Sequence, residues 1–108
     1  LAEMYLTRAE CNLRLGTTTG DTPLRDVNQV HERAGLPALG AVDLDAILLE
    51  RRLELAHEGH RIHDVKRLKL TLVEGVNSYS FDHDPLIYPI PQREINVNSN
   101  LSKNNGYF

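Results

Sequence analysis

The sequence predicts an all-α chain: a helical hairpin over residues 1–35, a long buried helix over 43–69, and an extended, loop-rich C-terminal tail over 70–108. Three observations carry that reading. Apolar residues recur at the helical period as far as Lys69. Helix starts and stops are punctuated, by Thr22-Pro23 and Asp43 at starts and by Gly16 and Gly35-Leu36-Pro37 at stops. Beyond Lys69 the period fades, and Gly, Asn, Ser and Pro take over.

Residues 1–15 form the first predicted helix. Glu3, Thr7, Glu10 and Arg14 make a narrow polar strip, and apolar residues cover most of the remaining circumference, so the helix is expected to be heavily buried. Arg8 stands among the apolar positions and requires either an internal partner or a side chain that snorkels to water. Thr22 caps a second helix with Pro23 at its first position. Leu24, Val27, Val30, His31 and Ala34 form its inner side. The two helices make an antiparallel hairpin of about the 34-residue length of a tetratricopeptide unit. One such hairpin cannot bury its own faces and needs neighbours, yet the chain holds no second copy. Leu1 already lies inside the helical pattern with no initiator Met, so the chain is expected to be a piece of something longer.

The long helix carries two apolar stripes. Leu44, Ile47, Leu48, Leu55, Ile62 and Val65 share one side; Ala46, Leu49, Leu53 and Ala56 share another. A helix with two apolar sides is expected to be wedged between neighbours. Arg51 and Glu58 fall inside the first stripe, where each either finds a partner within the fold or snorkels. Gly59 is costly in a helix interior and points to a close backbone contact or a local break.

Thr71 to Asp84 reads as loop. Leu-Ile-Tyr-Pro-Ile-Pro, from Leu86 to Pro91, is extended because each proline restrains itself and the residue before it. Gln92 to Ile95 fits one helical turn, and Leu101, Tyr107 and Phe108 are expected to hold the tail along the body. Tyr5 is expected in the core and Tyr88 as a packing anchor for the tail.

Composition narrows the function. The net charge of −3 gives no general attraction to nucleic acid or anionic lipid. No apolar run approaches the ~20 residues of a membrane-spanning helix. Cys11 is the only cysteine; it has no internal disulfide partner and sits on an apolar side, as a small inert core residue does. His57, His60 and His63 recur every third residue near Glu58 and Asp64, but His57-Glu58-Gly59-His60 is one residue short of the zinc-binding H-E-x-x-H pattern, so no metal and no cofactor is expected. No phosphate loop or nucleophile–base order is present, and Asp82 and Asp84 beside His83 read as solvated groups. With four Tyr, two Phe and no Trp, the chain has little flat aromatic surface for a sugar; Tyr79 and Phe81 are the candidates for ligand contact.

Four stretches, A-E-M-Y-L-T-R-A-E, V-N-Q-V-H-E-R-A-G-L-P, E-R-R-L-E-L-A-H-E-G-H-R-I-H-D-V-K-R and Y-P-I-P-Q-R-E-I-N-V-N-S-N-L, together resemble the C-terminal part of SusD/RagB-like proteins, the outer-membrane nutrient-binding lipoproteins of Bacteroidetes. The resemblance covers nearly the whole chain, in the family's order. It departs at Ile62 and His63, where the family usually has aromatic residues, and at Ser99 and Asn105, where it tends to have proline. These departures touch local packing and tail stiffness.

The resemblance implies a helical, tetratricopeptide-like protein without catalytic activity. It would be tethered to the outer face of the outer membrane by a lipidated cysteine upstream of this chain, and would pass a glycan or peptide nutrient to a TonB-dependent transporter. The family's ligand contacts vary and lie largely outside this segment. The contribution expected of residues 1–108 is therefore scaffold, with Arg51, Glu58, Arg61 and Asp64 as an internal polar network and the tail from Leu86 as a clasp. Two other readings are a free-standing helical-repeat module that binds a protein, and a metal-dependent hydrolase built on His57, His60 and His63. The isolated chain is expected to self-associate, because its helices carry more apolar surface than they can cover.

Overall fold

In a computed structural model, which describes residues 1–107, the chain is mostly helical with one small sheet. It divides into two compact units, residues 1–61 and the part from Ile62 onward.

The first unit holds α1 (Ala2–Leu15), α2 (Pro23–His31) and α3 (Leu44–Glu54). Its core is Leu6 and Ala9 of α1, Val27 and Val30 of α2, and Ile47 of α3, with Ala2, Tyr5, Leu13, Leu39 and Val42 packed against them. Thr22 Oγ1 accepts from the Arg25 amide and Asp43 Oδ1 from the Ala46 amide, so both predicted caps form. Gly16 ends α1 in the left-handed conformation, and the turn through Gly35 closes α2, with the Leu36 amide donating to the His31 carbonyl. The connector to α3 is fastened by Asn28, whose side chain donates to the Leu39 carbonyl at 3.1 Å and accepts from the Leu39 amide at 2.9 Å.

The expected helix over 43–69 is two helices. α3 stops at Glu54, and α4 (His60–Arg67) begins after a turn. His57 and Gly59 both take positive φ, 66° and 79°, which ends the i→i−4 ladder between them. Gly59 marks this break, since its missing Cβ tolerates a geometry that costs other residues about 1–2 kcal/mol.

Burial also differs from expectation. In α3 and the turn after it, Ile47 and Leu55 are buried, but Leu49 and Leu53 of the second stripe are more than half exposed and Ala56 is exposed. Among the described residues α3 is therefore covered on one flank only. α1 is likewise less buried than its composition suggests: Leu1, Met4, Cys11 and Leu15 are all exposed. Cys11 is thus a surface thiol and not a core residue.

The second unit has a feature missing from the all-α expectation. β1 (Leu72–Glu74) pairs antiparallel with β2 (Asn77–Tyr79), with Leu72 opposite Tyr79 and Glu74 opposite Asn77. Gly75 opens the two-residue connection at φ 59°, the positive value such hairpin turns need. The segment was unreadable as strand from periodicity because only three residues pair on each side.

After a single 3₁₀ turn at Asp84–Leu86, the proline-rich stretch runs extended into α5 (Gln92–Val97). The tail returns to it: Asn104 Oδ1 accepts from the Ile90 amide at 3.1 Å, and the Tyr107 hydroxyl donates to the Ile87 carbonyl at 2.8 Å. Tyr88, expected as an anchor, is 96% exposed; Tyr107 does the anchoring. Phe108, expected to help hold the tail, lies outside the described residues.

Candidate functional site

Five polar residues of the first unit, Glu10, Asn12, Asp26, Glu50 and Arg51, are buried. Arg8, placed among apolar positions of α1, grips Asp26 of α2 with two hydrogen bonds, Nε to Oδ2 at 2.8 Å and Nη2 to Oδ1 at 2.5 Å. Asp26 is almost fully buried, and the hydrogen bonding to it, with its charge, raises the Arg8 pKa above the ordinary value. Two donors in a fixed fork match a carboxylate better than any single cation. A Cβ on Gly20 would stand 2.5 Å from Arg8 Nη1, so the turn before α2 closes directly over the guanidinium.

Asn12 organises that turn. Its Nδ2 donates to the Thr19 carbonyl at 3.0 Å and the Asp21 carbonyl at 2.9 Å, while Oδ1 accepts from Thr17 Oγ1 at 2.8 Å and the Thr19 amide at 3.1 Å. Both donors and both lone pairs of the amide are thereby used.

The strip of Glu3, Thr7, Glu10 and Arg14 is solvated only in part: Thr7 and Arg14 are exposed, Glu3 is half-buried and Glu10 is buried. Arg51 of α3 is buried and reaches across to α1, with Nη1 donating to Thr7 Oγ1 at 3.2 Å and Nη2 to Glu3 Oε1 at 3.5 Å. His60 Nδ1 lies 3.5 Å from the same Glu3 oxygen. Glu10 is buried and accepts from Arg14 Nε at 2.8 Å. Between α2 and α3, His31 Nδ1 lies 2.8 Å from Glu50 Oε2, and Arg33 pairs with Glu54.

The positions expected to form one polar network have different environments. Arg51 and Asp64 are buried, and Arg61 is half-buried. Asp64 accepts from Arg67 Nε at 2.8 Å. Glu58 is exposed, 4.0 Å from His60 Nε2, so of its two alternatives the exposed one holds. Asp26, Asn12, Asn28 and Glu50 are polar contributors that sequence reasoning missed. One signal was available: Asp26 adjoins Val27 on the inner side of α2, just as Arg8 stands among apolar residues of α1.

The histidines do not gather a metal site. Among the described residues no three His, Cys, Asp or Glu side chains are placed to hold one ion. His57 and His63 are exposed, and His60 is turned to Glu3.

Of the aromatic candidates, Tyr79 is half-buried with its ring meeting His83 edge to face at 5.0 Å. Phe81 is half-buried with the Lys69 ammonium 5.9 Å from its ring centre. The second unit also has an open groove of about 390 Å³, lined by Asp84, Ile87, Ile90, Lys103 and Asn105 and by neither Tyr79 nor Phe81. No helix among the described residues is long and apolar enough to cross a membrane.

The sequence model of the SusD family matches residues 1–107, and the chain belongs to that family. Starch-binding protein SusD of Bacteroides thetaiotaomicron is 33% identical over an alignment of 117 residues, which takes in 99% of this chain and 20% of SusD. A solved structure from Bacteroides vulgatus, assigned provisionally to sugar binding, superposes on all of this chain and on 28% of its own, with a TM-score of 0.81 at 28% identity. The chain thus spans a fifth to about a quarter of the relatives it matches.

Proposed function

We propose that this chain is the C-terminal scaffold segment of a glycan-binding surface lipoprotein, with α1 and α2 forming one tetratricopeptide-like unit. The complete protein binds a glycan at the outer face of the outer membrane, held there by a lipid anchor upstream. It passes the glycan to a TonB-dependent transporter and catalyses nothing. Family membership supports the class, and the SusD relative, named for binding starch, supports a glycan over a peptide.

The observation that carries the scaffold role is where the charges go. Arg8 and Arg51 join α1 to α2 and to α3 by hydrogen bonds to Asp26 and to Thr7 and Glu3. In this reading Arg51, Arg61 and Asp64 stiffen the helices, and the tail from Leu86 is fastened within its own unit by Asn104 and Tyr107. Tyr79 and Phe81 are the residues here that could touch sugar.

The test uses the protein expressed from its complete reading frame. Arg51→Ala removes the guanidinium from Thr7 and Glu3, leaving Glu3 with His60, and lowers unfolding stability by about 1–3 kcal/mol. Starch-oligosaccharide affinity, measured by calorimetry, stays unchanged. Lost affinity at undiminished stability refutes the scaffold role. Tyr79→Ala with Phe81→Ala reports separately on the aromatic pair.

A further inference from the structure

The tail folds back at Asn104–Tyr107, where the Tyr107 amide donates to the Asn104 carbonyl at 3.4 Å. Asn105 and Gly106 are the two central residues of that turn. Gly106 takes φ 80° and Asn105 no positive value, the pattern of a type II turn. Both residues are exposed. Among the described residues no hydrogen bond holds the Asn105 side chain or the Gly106 amide. The other asparagines are tied or crowded. Asn12 and Asn28 use both ends of their amides. Asn96, Asn98 and Asn104 each accept a hydrogen bond at Oδ1, from Gln92 and from the Asn100 and Ile90 amides. Asn77 is paired in β2, and Asn100 precedes the branched Leu101. Asn105 alone is followed by glycine.

We propose that Asn105 is a site of spontaneous deamidation, with Gly106 supplying the attacking nitrogen. The Gly106 amide nitrogen loses its proton and bonds to Asn105 Cγ. Ammonia leaves from the same carbon, and a cyclic imide closes. Water then adds to one of the two imide carbonyls and breaks its bond to nitrogen. Opening at one carbonyl gives aspartate; opening at the other gives isoaspartate, whose backbone runs through the former side chain. Overall one water is consumed and one ammonia released, and no other reactant is needed. Glycine suits the step, because no side chain crowds the approach and the backbone turns freely. The turn bond is at the long limit for an amide and a carbonyl, and exposed segments of this kind open at small cost. The product changes the groove of the second unit, which Asn105 lines with Asp84 and Lys103. An acid at 105 sets a second carboxylate there against a single ammonium.

For the test, the protein expressed from its complete reading frame is held folded in mildly alkaline buffer. Its peptides are followed over time by mass spectrometry that separates aspartate from isoaspartate. Asn105 is expected to convert at least about tenfold faster than any other asparagine of residues 1–108, and to both acids. Earlier conversion of another asparagine overturns the proposal. So does aspartate at 105 without isoaspartate, which marks direct hydrolysis, and so does an intact Asn105 when the same chain in urea has converted fully. Gly106→Ala is compared with the parent chain in urea, where neither keeps the turn. Conversion at least about tenfold slower is expected, since the added methyl obstructs the attack whatever it does to folding. Equal rates overturn the role given to Gly106.

Discussion

At the scale of single residues, a buried polar side chain is costly unless it finds hydrogen-bond partners inside the fold. Asn12 is the clearest case, with four partners in the turn it organises. Asn12→Ala is expected to cost about 1–3 kcal/mol and to sharpen proteolysis between Gly16 and Thr22; a urea titration and limited digestion check both. Arg8→Met keeps the apolar stem but leaves Asp26 buried without its cation. The urea midpoint is expected to fall with the slope unchanged, the mark of lost stability without a changed unfolded state. The Arg8 pKa is raised, so its contribution is present below the ordinary arginine value and is lost only as pH climbs through the folded one. Mild alkali should therefore leave this pair intact.

At the scale of elements, the turn between α3 and α4 shows how two residues at positive φ, His57 and Gly59, override a long helical period. Gly59→Ala is expected to cost about 1 kcal/mol without joining the two helices, because His57 also holds a positive φ. Circular dichroism of the variant should show unchanged helix content, and a rise would mean that the break belongs to Gly59 alone. The tail offers a second test. Tyr107→Phe removes the hydroxyl that donates to the Ile87 carbonyl. A loss of about 0.5–1.5 kcal/mol is expected, with faster amide exchange on the tail from Leu101 to Tyr107.

At the scale of the whole molecule, the exposed lines on α1 and α3 govern behaviour in solution. Leu15 and Met4 on α1, with Leu49 and Leu53 on α3, present apolar surface that the described residues do not cover. The isolated chain is expected to associate, and Leu15→Lys with Leu53→Lys to return it to a monomer with its helical signal intact. Light scattering checks this, and a well-behaved monomer before substitution would count against it.

Period, caps and stops were legible in the residues themselves, because they are local: Thr22 and Asp43 bond to amides three positions on, and Gly16 and Gly35 close helices within a turn. The resemblance that led to the family was legible for the same reason, being carried by contiguous stretches. Tertiary structure alone decided which apolar side of α1 and α3 became core, since both sides read alike until α2 takes one of them. It alone joined Arg8 to Asp26 and Arg51 to Glu3, pairs separated by 18 and 48 positions, whose contact depends on how helices cross and not on spacing along the chain.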